Sequence, residues 1–382
     1  MKQTTIENEK SVGLEFYSSD TKGIGGIIKK DKNDFKVIED SDVERDEKGE
    51  HLCIVVEKEY LTTENFIAIL RGHLHLDGRF IGYAGNKDKN AVTVQKISIP
   101  YSDEISKKTD ELSLIDKFTD NDKDTGNDKF TGKFKITEKF RIKRKIRLGY
   151  LNGNFFEIYV RNCNNVQAET TERINKILTE ISNVGVPNYF GVQRFGANYD
   201  THIYGRHLVL REYEKLLEML KKDNLFGRMI KDINDPMRAV HSLPYFFLDI
   251  FIAGYQSYLF NKILSEKMKN FGLSRIEGDY VNSKQDVVLP IIGYKSKFPT
   301  GETGEIINKV MEKERIAKEI FKHEIKFLSR KGDLRKINLN FKDFGYEVTE
   351  SKEASEKSDV RFKFWLEKGN YATVLMREFC KN

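Results

Sequence analysis

Asp88 is the residue whose setting most invites chemistry. It lies in the run Ala84-Gly85-Asn86-Lys87-Asp88-Lys89-Asn90-Ala91-Val92-Thr93, a polar turn rich in Gly, Asn and Asp. Strand-like runs flank it, Arg79 to Tyr83 before and Val92 to Ile99 after, with the β-branched and aromatic residues typical of sheets. A carboxylate held on such a turn can serve as a nucleophile or a general base. Polar turns between strands are common, so the turn by itself only nominates a candidate.

A second group of residues points to a polyanion. Lys139, Arg141, Lys143, Lys145 and Arg147 alternate with Phe140, Ile142, Ile146 and Leu148, and only Arg144 breaks the pattern. Read as one strand, this alternation sends the five cations to one face, where phosphate would screen their repulsion. Further on, Pro187 to Gly196 packs Tyr189, Phe190 and Phe195 around Arg194, glycines and amides. Each aromatic taken singly suits a packed turn, and the group with Arg194 suits an RNA-facing loop.

Other chemistries are disfavoured. The sequence has no P-loop, no G-x-S-x-G and no H-E-x-x-H, and Gly23-Ile24-Gly25-Gly26 lacks the spacing of a dinucleotide fingerprint. Cys53, Cys163 and Cys380 are far apart, and the histidines are scattered, which argues against disulfides and a metal site. No cofactor and no metal are expected. A carboxylate-dependent nuclease would need clustered acidic metal ligands, which the chain does not display. The start of the chain is polar, and no run is apolar enough to span a bilayer, so a cytoplasmic protein without a membrane partner is expected.

The elements that must position these residues are mixed. At 382 residues two domains are expected. Strands are predicted over Ile24–Ile28, Phe35–Glu39, His51–Val56, Phe134 to Leu148, Gly153–Val160, Val360–Leu366 and Tyr371–Glu378. Helices are predicted from Glu64 to Leu76, capped by Thr62 or Thr63, from Asn164 or Asn165 to Gly185, from Asp249 to Phe271, and from Glu305 to Leu328. Residues 102–133 read as a surface loop or hairpin tip, poor in apolar side chains. Strands at both ends around a helical block suggest an inserted domain.

The run from Ala84 to Thr93, with Gln95 beyond it, resembles the catalytic motif of the TruD family of pseudouridine synthases. Asn188-Tyr189-Phe190-Gly191 with Gln193-Arg194-Phe195-Gly196, Gly153-Asn154-Phe155-Phe156, Tyr255 to Asn261 and Gly369 to Thr373 resemble further family motifs in the right order. Lys29 to Phe35 with Glu39 resembles the N-terminal one, so the likeness spans nearly the whole chain. It implies an α+β fold: a pseudouridine synthase catalytic domain on a mixed, largely antiparallel sheet, at 1–184 and 337–382, with a mainly helical domain inserted at 185–336. It implies isomerisation of uridine in tRNA, typically uridine 13, without cofactor or metal. Asp88 would be the essential carboxylate and Lys29 the cation that orients it. Phe156 would stack on the target base, Asn154 would supply an amide nearby, and Phe35 and Tyr371 would line the pocket. The basic run from Lys139 to Arg147, together with Arg194, would hold RNA. A non-catalytic RNA-binding or chaperone protein on the same scaffold is the alternative, and the oligomeric state is not legible.

Overall fold

The computed structural model describes residues 2–113, 118–119 and 131–382. The chain divides into two compact units, residues 24–172 with 341–369, and residues 1–23 with 173–340 and 370–382. The sequence reading groups 1–184 with 337–382, whereas contacts group 1–23 and 370–382 with 173–340.

The first unit is built on one large sheet. Its seven long strands are β1 (Phe35–Asp40), β2 (His51–Glu59), β3 (Val92–Pro100), β4 (Thr131–Ile142), β5 (Gly153–Cys163), β6 (Phe341–Glu350) and β7 (Ser358–Glu367). They lie in the order β6-β7-β5-β1-β3-β2-β4, with Phe118–Thr119 beyond β4. Ile27–Ile28 pairs with β5 and Gly82–Tyr83 with β3. Among the described strands only β1 and β3 run parallel, Lys36 opposite Val92, so the sheet is mixed and largely antiparallel.

Period-two alternation decides what each face carries. On β1, Phe35, Val37 and Glu39 are buried while Ile38 is exposed. On β2 and β3, Leu52, Ile54, Val56, Ile97 and Ile99 pack against Phe66, Ile69, Leu70 and Leu74 of helix α1 (Thr63–Leu74). Thr62 caps α1 by accepting from the Asn65 N–H at 3.1 Å, as its sequence indicates.

Several segments differ from the sequence reading. Within 102–133, Asp103–Ser113 forms helix α2, whose Leu112 joins the core beneath α1. Ile105 and Leu112 are few, but at helical spacing they suffice to dock it; the centre of the segment lies outside the described residues. The basic strand stops at Ile142, and 143–148 continue without ladder pairing. The buried Ile146 anchors that stretch, its N–H donating to Ser98 Oγ at 2.9 Å.

The second unit is mainly helical. It takes in residues 173–184 of α3 (Gln167–Val184), centres on α4 (Tyr245–Phe271), and includes α5 (Gly301–Glu314), α6 (Ala372–Cys380) and a three-stranded sheet of Tyr280–Val281, Val287–Ile291 and Asp333–Lys336. The predicted helix to Leu328 ends at Arg315, whose left-handed φ of 55° breaks it, and two 3-10 turns follow. The predicted strand Tyr371–Glu378 is helix α6. Ala372 and Val374 to Cys380 are buried, which leaves no polar stripe to reveal the period.

Candidate active site

The turn carrying Asp88 joins Gly82–Tyr83 to β3, two strands that also pair with each other, Tyr83 opposite Ile97. Asp88 stands out from it, 62% exposed, with Lys29 Nζ 3.6 Å from its Oδ2. Lys29 follows the short strand Ile27–Ile28 and has a left-handed φ of 60°, which turns the chain from that strand toward β1. Its ammonium also sits 4.2 Å from the centre of the Phe35 ring, a cation–π contact that fixes where the charge lies.

Aromatic contacts continue along the same face. Phe35 meets Phe156 edge-on at 6.1 Å between ring centres, and Phe156 stacks on Phe364 of β7 at 5.5 Å. Thus four residues nominated from sequence, Asp88, Lys29, Phe35 and Phe156, form one connected series.

Asn154 belongs to that face, two residues from Phe156 and opposite Glu39 of β1. Its Oδ1 is buried without a hydrogen-bond partner among the described residues. Gly153 is required beside it, because a Cβ there would stand 2.2 Å from the Leu366 carbonyl oxygen.

The turn is held from beneath by side chains whose importance sequence did not convey. Lys87 and Glu39 form an ion pair at 3.1 Å, 6% and 1% exposed. Gln95 Nε2 donates to the Gly85 carbonyl at 2.7 Å, and the Lys87 N–H donates to Thr63 Oγ1 at 3.0 Å. Lys58, fully buried, donates to Thr93 Oγ1 at 3.1 Å. Burial pushes its ammonium down to about 8, and the Lys87 charge adds to the effect while Glu39 and Glu64 oppose it. A Glu at an inward strand position is a sequence signal that could have pointed to such a cluster.

The basic residues separate into two groups. Lys139 is tied to Asp110 at 2.5 Å, and Arg141 donates to the Gly49 carbonyl at 2.8 Å and lies over Tyr101. Both therefore have partners within the protein. Lys143, Arg144, Lys145 and Arg147 instead line a cavity of about 580 Å³ with Val43, Glu44, Ile146 and Tyr150. Arg144, the exception to the alternation, is therefore part of the basic lining.

Arg194 and Tyr371 belong to the helical unit. Arg194 donates to Ser257 Oγ at 3.3 Å. Tyr371 packs near Phe190 at 6.2 Å between ring centres, with the Arg335 guanidinium over both rings. Tyr189 and Phe195 are buried. Asn261 spans the loop, accepting from the Phe190 N–H at 2.8 Å and donating to the Phe190 carbonyl at 3.0 Å. The expected RNA-facing loop is thus largely an internal joint.

Among the described residues no group of His, Cys, Asp and Glu could hold a metal ion, and no helix is long and apolar enough to cross a membrane.

The sequence profile of tRNA pseudouridine synthase D (TruD) matches residues 11–225, 218–288 and 282–379. A Methanosarcina mazei protein named "Probable tRNA pseudouridine synthase D" is 31% identical over 98% of this chain and 98% of its own. One from Methanocaldococcus jannaschii, named "Probable tRNA pseudouridine synthase D 1", is 31% identical over 93% and 95%. A crystal structure of a Methanosarcina mazei protein titled "Putative tRNA pseudouridine synthase D (TruD)" superposes with a TM-score of 0.77 at 28% identity, covering 99% of this chain and 98% of that one. The match spans nearly the whole chain and nearly the full length of these relatives, and the chain belongs to the tRNA pseudouridine synthase D (TruD) family.

Proposed function

We propose that this chain converts uridine to pseudouridine in tRNA, at uridine 13, with Asp88 as the essential carboxylate and no cofactor. Membership in the TruD family makes it an isomerase. The observation that carries the assignment of Asp88 is its exposed carboxylate beside Lys29, on a sheet face that also presents Phe35, Phe156 and Asn154.

The reaction breaks the bond between uracil N1 and ribose C1′, turns the base, and joins its C5 to C1′. N1 gains a proton and C5 loses one, so atoms balance without a redox partner. A carboxylate starts this either by attacking C1′ or by taking the 2′ proton to give a glycal. Lys29 orients Asp88 for either step, Phe156 offers a stacking surface to the turning uracil, and the Asn154 carbonyl oxygen accepts its imide N–H. The target base must leave its stack, at a cost of a few kcal/mol that stacking and phosphate contacts offset. Lys143, Arg144, Lys145 and Arg147 supply cations for those contacts.

The test is to incubate the purified protein with unmodified tRNA and map pseudouridine by carbodiimide-primer extension. A stop one nucleotide 3′ of position 13, the mark of pseudouridine at 13, is expected. Binding of tRNA with no pseudouridine at any position would favour the non-catalytic RNA-binding alternative.

A further inference from the structure

Lys87 precedes Asp88 directly, yet its side chain turns into the protein. Its Nζ meets Glu39 Oε2 at 3.1 Å, and Ser41 Oγ holds the other Glu39 oxygen at 3.2 Å. The backbone of the turn is fastened at two further points. Gly85 offers its carbonyl to Gln95, Lys87 gives its N–H to Thr63 Oγ1, and Thr63 Oγ1 donates to Gln95 Oε1 at 3.0 Å, closing the circuit. Thr63 and Gln95 are fully buried.

A buried ion pair is a poor stabiliser, since desolvating both charges costs about as much as their attraction returns. Its place here is better explained by geometry. Gly85 and Asn86 give the turn little intrinsic rigidity, and a displacement of about 1 Å at a reacting group can cost roughly a hundredfold in rate. Lys58 shares the pocket, so Glu39 answers two buried cations and cannot be removed without leaving them to repel each other.

We propose that Glu39, Lys87, Thr63 and Gln95 are positioning residues that fix the Asp88 turn from beneath, and that Lys87 affects the reaction through the place it gives Asp88, without touching RNA. This rests on Asp88 being the catalytic carboxylate.

The experiment compares Glu39→Gln, Lys87→Met, the double variant and Thr63→Val by thermal midpoint, by tRNA affinity, and by single-turnover pseudouridine formation at saturating tRNA, with Asp88→Asn alongside. Each single charge change strands a buried charge and lowers the midpoint, and the double variant recovers most of that loss. Its rate nevertheless falls about a hundredfold, while its tRNA affinity stays within about twofold because no phosphate contact is lost. Lys87→Arg, which keeps a cation facing Glu39, restores part of the rate. Thr63→Val, which alters no charge, reduces the rate about tenfold at unchanged affinity.

A double variant with a recovered midpoint and a rate near wild type would overturn the proposal, as would a normal rate in Thr63→Val. Weaker tRNA binding by Lys87→Met, with a salt dependence shallower by about one unit of slope, would make Lys87 a phosphate ligand instead. Full activity in Asp88→Asn would instead remove the catalytic reading on which the positioning role depends.

Discussion

Two motif-bearing turns of this protein use similar residues for opposite ends. The turn of Gly85 to Asp88 buries its anchors and leaves its carboxylate 62% exposed. The loop of Asn188 to Gly196 buries Tyr189 and Phe195, and its polar groups bond to Asn261 and Arg335. The more distinctive sequence is therefore the joint, and the less distinctive one holds the candidate chemistry. Density of aromatics and amides does not by itself mark a surface for RNA.

Substitutions can break that contrast. The largest effect on stability is expected from Asn261→Ala, which strands the Phe190 N–H and carbonyl and the Val12 carbonyl. With one buried and two part-buried backbone groups unpaired, the loss is on the order of 3 kcal/mol, while the rate per folded molecule is unchanged. Denaturant unfolding and single-turnover assays on the folded fraction would check both parts. A large rate loss at full stability would place the loop in the chemistry and erase the difference between the two turns.

Lys58 gives a pH signature to the first turn. Its folded value of about 8 lies below the ordinary 10.5, so between these values the unfolded chain holds a proton that the folded protein has released. Stability therefore rises with pH across that window, by on the order of 2–3 kcal/mol. Lys58→Met should flatten the rise. Unfolding free energies at pH 7.5, 9 and 10.5, subtracted between the two proteins, would show it.

Lys29→Met is expected to slow pseudouridine formation about 10- to 100-fold. Its effect on stability is about 1 kcal/mol, because its ion-pair partner Asp88 is exposed. The combination separates it from Asn261→Ala. The smallest effect is that of Lys143→Ala with Arg147→Ala, which leaves the saturated rate alone and makes the salt dependence of tRNA binding shallower by about one to two units.

Much of the framework was legible because it depends on alternation and caps. Phe35, Val37 and Glu39 share a buried face of β1, and Thr62 caps α1. The extent of the basic strand was not legible, because Lys145 to Leu148 keep the strand-like alternation after pairing ends at Ile142. Helix α6 misled because almost every residue is covered. In the site, Asp88, Lys29, Phe35 and Phe156 were named in advance. The supporting roles of Lys87, Thr63 and Lys58 were not, since a buried lysine or threonine has the same letter as an exposed one and only the fold reveals its partner.

The most direct measurement is pseudouridine formation in tRNA by Asp88→Asn. The account predicts that none forms while tRNA affinity stays within about twofold of wild type, because an exposed carboxylate adds nothing to the grip on a polyanion. Pseudouridine appearing at close to the wild-type rate would contradict it.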